Sequence, residues 1–274
     1  MSATTPPIVL ILPARNEAAT VASVVRRTPA RVLGHPVRCV VVDDGSIDAT
    51  ARLARGAGAH VISHPATSGL GAAVRTGLRH AVSCGAEVAA FCDADGEYAP
   101  EELDRLVAPI LAGRADYVVG SRFAGDIRRM LPHRRAGNRT LTWALRTLTG
   151  RAITDGQSGY RALSRRAAAA AEIAHDYNYA QVLTLDLLRR GARYAEVPIG
   201  YAFRSHGRSF VRLHRYLRAV VPTAWRVLHT PPPPPLHADV EVGAGARAAH
   251  VATRAPAVAG TGGTSPTTAG LTAP

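Results

Sequence analysis

Four short apolar runs, each broken off by a polar motif, constrain the fold of this chain more than any other feature. Residues 8–12 (IVLIL) stop at PARNE, 39–42 (CVVV) at DDGS, 88–92 (VAAFC) at DADGE and 117–119 (YVV) at GSR. Short, continuous, β-branched runs that end in turn-forming residues are the pattern of buried parallel strands. HVISH (60–64) and YAEVPI (194–199) resemble further strands, and DGQSGYRAL (155–163) reads as a turn into a short strand or bend. Between them, Val21, Val24 and Val25 set a helical spacing over Glu17 to about Thr28, and helices are expected from Asp48, over 72–83 and over 100–111. Pro100 falls in the first turn of the last of these, where its missing N–H costs little. A further helical stretch runs to Leu148, with two more helices before 194–199. Strands alternating with helices build a single doubly wound, mostly parallel α/β sheet with helices on both faces. Ligands of such sheets bind outside the carboxyl ends of the strands, so all four motifs are expected on one edge.

In an extended segment, side chains at i and i+2 point the same way, which lets Asp93 and Asp95 of DADGE converge. Two carboxylates that close need a divalent metal, an arginine or a shared proton between them. With Asp44 on the same edge, the cleft gathers acids inside a chain of 33 basic and 20 acidic residues, net charge +13. A Mg²⁺ or Mn²⁺ held by one or two carboxylates and by substrate phosphates resolves the repulsion. All the basic residues are arginine, a side chain suited to bidentate phosphate recognition. The charge points to anionic partners: nucleic acid, a phospholipid surface or phosphate-bearing substrates. SGLG (68–71), just before a helix, offers backbone N–H groups to an anion. Arg134, Arg135 and Arg139 suit either a solvated face or a phosphate channel.

Other chemistries find less support. Cys39, Cys84 and Cys92 lack zinc or disulfide spacing and read as free thiols. His64, His80 and His175 have no partner at ligand spacing, and no GxSxG or Cys/His pair marks a nucleophile. The apolar N-terminal run stops at Pro13 with no basic segment before it, unlike a secretory signal. No stretch approaches the ~18 apolar residues of a membrane span. These features imply a cytoplasmic chain, peripheral on the inner membrane face. Residues 209–229 place Phe210, Leu213, Leu217, Val220, Ala224 and Leu228 on one face and Arg208, Arg212 and Arg215 on another, with Pro222 expected to kink or divide the helix. Such a helix either docks on anionic bilayers or packs against the domain. The expected organisation is a disordered 1–7, a catalytic domain over 8–207, a basic amphipathic helix over 208–230 and a disordered Pro/Gly/Ala/Thr-rich tail over 231–274.

PARNEAATV, VVDDGSIDAT, SGLGAAVRTGL, CDADGEYAPEEL, VVGSRF, DGQSGYRAL and EVPIGYAFRSHGRS stand in an order and spacing that resemble glycosyltransferase family 2. The likeness is to its polyprenyl-phosphate branch, the dolichyl-phosphate mannose synthase-like enzymes. It runs from residue 8 to about 215. The resemblance implies a GT-A fold and metal-dependent, inverting transfer of a mannose- or glucose-type sugar from a GDP- or UDP-sugar to a polyprenyl phosphate. Matched residue by residue, Pro13, Arg15 and Glu17 fall in the first nucleotide loop, and Val42 and Asp44 at the base and ribose contacts. Asp93, Ala94 and Asp95 match the metal and diphosphate site, with Asp93 and Asp95 as metal ligands and Glu97 beside them. Arg122, Arg204 and Arg208 match positions that hold phosphates, and Asp95, Arg122 and Arg204 form the implied catalytic set. Glu97 stands where the mannose synthases usually carry glutamine, Arg15 where they often carry tyrosine, and Phe210 where a lysine is expected. Asp155 and Ser158 are candidates for shaping the acceptor pocket, and Tyr177, Tyr179 and Gln181 for lying near the sugar. A saccharide or small-alcohol hydroxyl acceptor is the alternative. A nucleic-acid-binding module would explain the charge but not the paired aspartates, so nucleic acid is not expected as a partner.

Overall fold

The structure, a computed structural model, describes residues 5–127, 130, 132–174, 176, 179–202, 222–231 and 233–237, with the side chains of 133 and 134 outside that set. The strands are β1 (Ile8–Ala14), β2 (Arg31–Val32), β3 (His35–Asp43), β4 (His60–Ser63), β5 (Val88–Phe91), β6 (Tyr117–Ser121), β7 (Arg161–Ser164) and β8 (Tyr194–Pro198). The helices are α1 (Val21–Arg27), α2 (Thr50–Gly56), α3 (Leu70–Ser83), α4 (Leu103–Leu111), α5 (Pro132–Thr149), α6 (Arg165–Ala170) and α7 (Ala180–Arg189). A 3₁₀ turn, Pro100–Glu102, precedes α4, and a further helix, α8, spans 222–229.

The sheet runs β2-β3-β1-β5-β7-β6-β8, with β4 paired to β3. β1, β3, β4 and β5 are mutually parallel, as are β6 and β8, while β7 is antiparallel to both β5 and β6. β5 and β6 therefore point the same way, and the carboxyl ends of β1, β3, β5 and β6 lie on one edge. β7 enters from that edge, since its first residue, Arg161, pairs with Phe91, the last of β5, and with Val119 of β6. The loop before β7 is thus delivered beside DADGE.

The core follows from the period-2 alternation of strands. Ile8, Leu10 and Leu12 of β1 face a cluster with Val21 of α1 and Leu103, Leu106 and Val107 of α4. Val9 and Ile11 face the opposite cluster, with Val74 and Leu78 of α3 and Leu183 and Leu187 of α7. All five β1 residues from Ile8 to Leu12 are 0% exposed, which is why the run carries no polar alternation. At Gly77, α3 comes so close to β1 that a Cβ would sit 2.3 Å from Ile11 Cγ2.

Among the described residues α8 is helical from Pro222 on, and the residues on which the expected kink or division would be judged, before Pro222, lie outside the described set. Ala224 and Leu228 pack with Val227 against Leu145 of α5, Leu185 of α7 and Ile153. Arg189 donates to the carbonyls of Val227 and Thr230 at the end of α8. Here the apolar face meets the domain. Residues 203–221 and 238–274, including Arg204, Arg208, Phe210, Leu213 and Leu217, lie outside the described residues, as do His175 and Tyr177.

Candidate active site

The first loop is built by cross-bracing two motifs. Asn16 holds a left-handed φ of 56°, a conformation asparagine tolerates. Its N–H donates to Ser46 Oγ (2.9 Å) and its Oδ1 accepts from Ile47 N (3.0 Å). Glu17 N donates to Thr50 Oγ1 (2.8 Å) and Ala18 N to Asp48 Oδ2 (3.2 Å). PARNE and DDGSID therefore form one rigid wall, from which Arg15 projects into solvent while Pro13 is buried and Glu17 half-buried.

Asp44 is 4% exposed. Its Oδ1 accepts from Ser68 N (2.8 Å) and bonds His64 Nδ1 (2.8 Å), and its Oδ2 accepts from Gly69 N (2.8 Å). Burial pushes this carboxyl up, but the bonds from His64, Ser68 and Gly69 outweigh it and hold the pKa below its ordinary value. The Ser68 and Gly69 amides of SGLG thus serve an anion of the protein itself, and His64 is a satisfied histidine, the aspartate's partner, clamped on its other side by Thr76 Oγ1 (3.0 Å). Val42 is 0% exposed, packs in the core and is paired with β1 and β4.

Asp93 and Asp95 follow β5 directly. Asp95 is 5% exposed and its Oδ1 accepts from Glu97 N (3.0 Å). Gly96, at φ 79°, makes that tight turn possible. Asp93 is half-buried against the loop before β7: a Cβ on Gly159 would lie 2.8 Å from Asp93 Oδ2. Ala94 is buried in the core at 1% exposure. Among the described residues no group of three or more His, Cys, Asp or Glu forms a metal cage. Two neighbouring carboxylates suit a hard cation that completes its shell with phosphate and water. Burial, then the charge of Asp93, raises the Cys92 thiol, which keeps it protonated and inert.

Arg122 leaves β6 at 6% exposure. Its Nε and Nη2 form a fork on Asp155 (2.7 and 2.8 Å), whose Oδ2 also accepts from Arg122 N (3.1 Å). Asp155 is 0% exposed, and the fork turns Arg122 Nη1 away from it. The Tyr201 ring lies 5.3 Å from the guanidinium. Tyr201 Oη donates to Glu97 Oε2 (3.0 Å) and Ala202 N to Glu97 O (3.0 Å), so the chain leaving β8 is fastened to the DADGE turn. Arg161, fully buried, donates to the carbonyls of Ser158 (2.7 Å), Gly156 (3.1 Å) and Ala180 (2.7 Å) and so shapes the loop on which Asp93 rests. Ser158 is buried within that loop, Tyr179 packs edge-on against Phe91, and Gln181 Nε2 is spent on Leu141 O (2.9 Å).

Beside the Arg122–Asp155 pair, an open groove of about 620 Å³ is lined by Phe123, Thr154, Arg135, Arg139, Trp143 and Arg146. The three arginines share one face of α5 at i, i+4 and i+11. None has an acidic partner within ion-pair distance among the described residues. Neither Asp93 nor Asp95 lines the groove.

A mostly parallel α/β sheet with acidic and arginine loops gathered on one edge is the arrangement of GT-A glycosyltransferases. The family profile described as glycosyl transferase family 2 matches residues 9–170, and the chain belongs to that family; it is a glycosyltransferase. It is 34% identical over 183 residues to the polyprenol monophosphomannose synthase of Mycolicibacterium smegmatis, covering 62% of this chain and 69% of that one. It is 32% identical over 179 residues to the UDP-N-acetylglucosamine--dolichyl-phosphate N-acetylglucosaminyltransferase of Methanococcus voltae, covering 58% and 70%. Among solved structures it resembles glucosyl-3-phosphoglycerate synthase from Mycobacterium tuberculosis in complex with Mn²⁺, UDP and glucosyl-3-phosphoglycerate. The TM-score is 0.67 at 27% identity, over 82% of this chain and 81% of that one.

Proposed function

We propose that the chain transfers a hexose from a GDP- or UDP-sugar to the phosphate of a polyprenyl phosphate, with inversion at the sugar carbon. The observation that carries this reading is the juxtaposition of the Asp93/Asp95 turn with Arg122 and the arginine face of α5 on one sheet edge. Relatives named for polyprenyl and dolichyl phosphates support it. Asp93 and Asp95 are the residues that would hold Mg²⁺ or Mn²⁺, which supplies charge neutralisation to the departing diphosphate. The wall formed by PARNE and DDGSID, with Arg15 and Glu17, borders the nucleotide. Arg122, with Arg204 and Arg208, holds the phosphates in line.

An oxygen of the lipid phosphate attacks the anomeric carbon, the bond from that carbon to the diphosphate oxygen breaks, and nucleoside diphosphate leaves with the electron pair. A phosphate monoester, with its second pKa near 6, is already anionic at neutral pH, so no protein base is needed. Trp143, 66% exposed beside Arg135, Arg139 and Arg146, suits contact with an anionic membrane surface. No helix among the described residues is long and apolar enough to cross a membrane.

The likeness to an enzyme crystallised with phosphoglyceric acid favours a second reading, a small phosphorylated alcohol as acceptor. A donor screen with Mn²⁺ or Mg²⁺, reading nucleoside diphosphate release with polyprenyl phosphate or with phosphoglyceric acid, decides between them. Stimulation by the lipid alone supports the first, and by phosphoglyceric acid alone the second.

A further inference from the structure

We infer that Glu97 is a positioning residue that holds Arg122 through Tyr201, rather than a metal ligand or an acceptor's base. Glu97 is 6% exposed and is fixed at three separate atoms. Its N–H donates to Asp95 Oδ1 (3.0 Å), its carbonyl accepts from Ala202 N (3.0 Å) and its Oε2 accepts from Tyr201 Oη (3.0 Å). A general base must reach the proton it removes, whereas this carboxylate is turned into the protein and engaged by a phenol.

Tyr201 is 3% exposed and is itself set from three sides. Its N–H donates to Asp126 O (3.0 Å), its backbone bridges Tyr98 and Ile127, and its ring stands edge-on to Tyr98 at 5.9 Å. The other face of this arrangement is the Arg122 guanidinium, 5.3 Å from the ring centroid. Asp155 fixes the fork of Arg122, and the Tyr201 ring fixes the plane in which Nη1 is presented. The side chain of Glu97 thus acts on the arginine, and its main chain on Asp95. Substituting the side chain should disturb the first and spare the second.

This inference rests on the transferase reading above, and one experiment on the full chain tests both. Glu97→Gln, Glu97→Ala, Tyr201→Phe and the Glu97→Ala/Tyr201→Phe double variant are assayed for polyprenyl phosphate turnover. Their affinities for GDP and for UDP in the presence of Mn²⁺ are measured by calorimetry. Glutamine keeps an acceptor oxygen for Tyr201, so Glu97→Gln should stay within about 3-fold of wild type throughout. Glu97→Ala and Tyr201→Phe should each raise the acceptor KM about 10-fold, the scale of one lost buried hydrogen bond to a charged group. The double variant should be no worse than either, because the residues act as one unit. Nucleotide affinity should change less than about 3-fold in all of them. A 10-fold loss of Mn²⁺-dependent nucleotide affinity in Glu97→Ala would make Glu97 a metal ligand and overturn the proposal. So would a 10²-fold fall of kcat in Glu97→Gln with Tyr201→Phe unaffected, the mark of a lost base. A wild-type chain that binds neither nucleotide with Mn²⁺ overturns the transferase reading and this inference with it.

Discussion

Replacing Asp155 by alanine probes the support of the site most sharply. The residue is 0% exposed and accepts from Arg122 Nε, Nη2 and N and from Gln157 N at 2.7 to 3.2 Å. Removing it strands a guanidinium that is itself 6% exposed. Burial alone would lower the pKa of Arg122, but Tyr98 and Asp155 raise it, so the charge stays and goes unpaired. Breaking one side of a buried pair costs about 3–5 kcal/mol. For a domain of roughly 150–250 residues, each kcal/mol moves Tm by about 2–4 °C, which predicts a fall of roughly 6–20 °C. Arg122→Met combined with Asp155→Ala removes both charges and should be less destabilised than the sum of the single variants, with a coupling of about 2 kcal/mol. Urea titrations followed by far-UV circular dichroism give these values. An Asp155→Ala chain within about 1 kcal/mol of wild type, or additive single variants, would refute the reasoning. The pairing also shows that Arg122→Ala alone cannot report on phosphate binding, because it leaves Asp155 buried without its partner.

Three further outcomes are expected. Gly159→Ala sets a Cβ 2.8 Å from Asp93 Oδ2. The mobile end of that side chain can move, so calorimetry should show Mn²⁺-dependent nucleotide affinity reduced about 10-fold with Tm little changed, and unchanged affinity would dissociate the loop from the aspartates. Asp44 has its pKa lowered below the ordinary 3.8, so the stability it contributes is present above that pH and lost as pH falls through the folded value. Melting curves of Asp44→Asn should converge on wild type below about pH 4, and a constant offset down to about pH 2 would contradict the bonding to His64, Ser68 and Gly69. Deleting 238–274, rich in Ala, Gly, Thr and Pro and so poor in core-forming residues, should leave turnover within about 2-fold. A larger loss would give the segment a role.

Much of this architecture is legible because it rests on local patterns. IVLIL, CVVV, VAAFC and YVV mark strands through unbroken burial, and the polar motif after each marks the shared edge. β7 is legible only as a short element after the DGQSGY turn; its antiparallel insertion between β5 and β6 leaves no local signal. RALS is short, and nothing in it marks Arg161 as fully buried among carbonyls that shape the preceding loop. Pairings across long stretches of chain leave no local signal either. Asp44 with His64, and Arg122 with Asp155 33 residues later, emerge only once strands bring their ends together. The SGLG amides looked ready for a ligand because a helix N-terminus invites any anion, and sequence does not say whether that anion comes from the protein. The paired aspartates were readable because the i, i+2 geometry is intrinsic to extended chain. Glu97 was legible as an acid near them, but its attachment to Tyr201 spans 104 residues.

The central claim, sugar transfer to a lipid phosphate, is tested most directly by mass spectrometry of the lipid after incubation with a nucleoside-diphosphate sugar, Mn²⁺ and polyprenyl phosphate. The account predicts a lipid heavier by one hexose residue that releases a hexose phosphate on fragmentation, formed by wild type and abolished in Asp95→Asn. An unmodified lipid under conditions where the same preparation glycosylates a hydroxyl acceptor, such as phosphoglyceric acid, would contradict it.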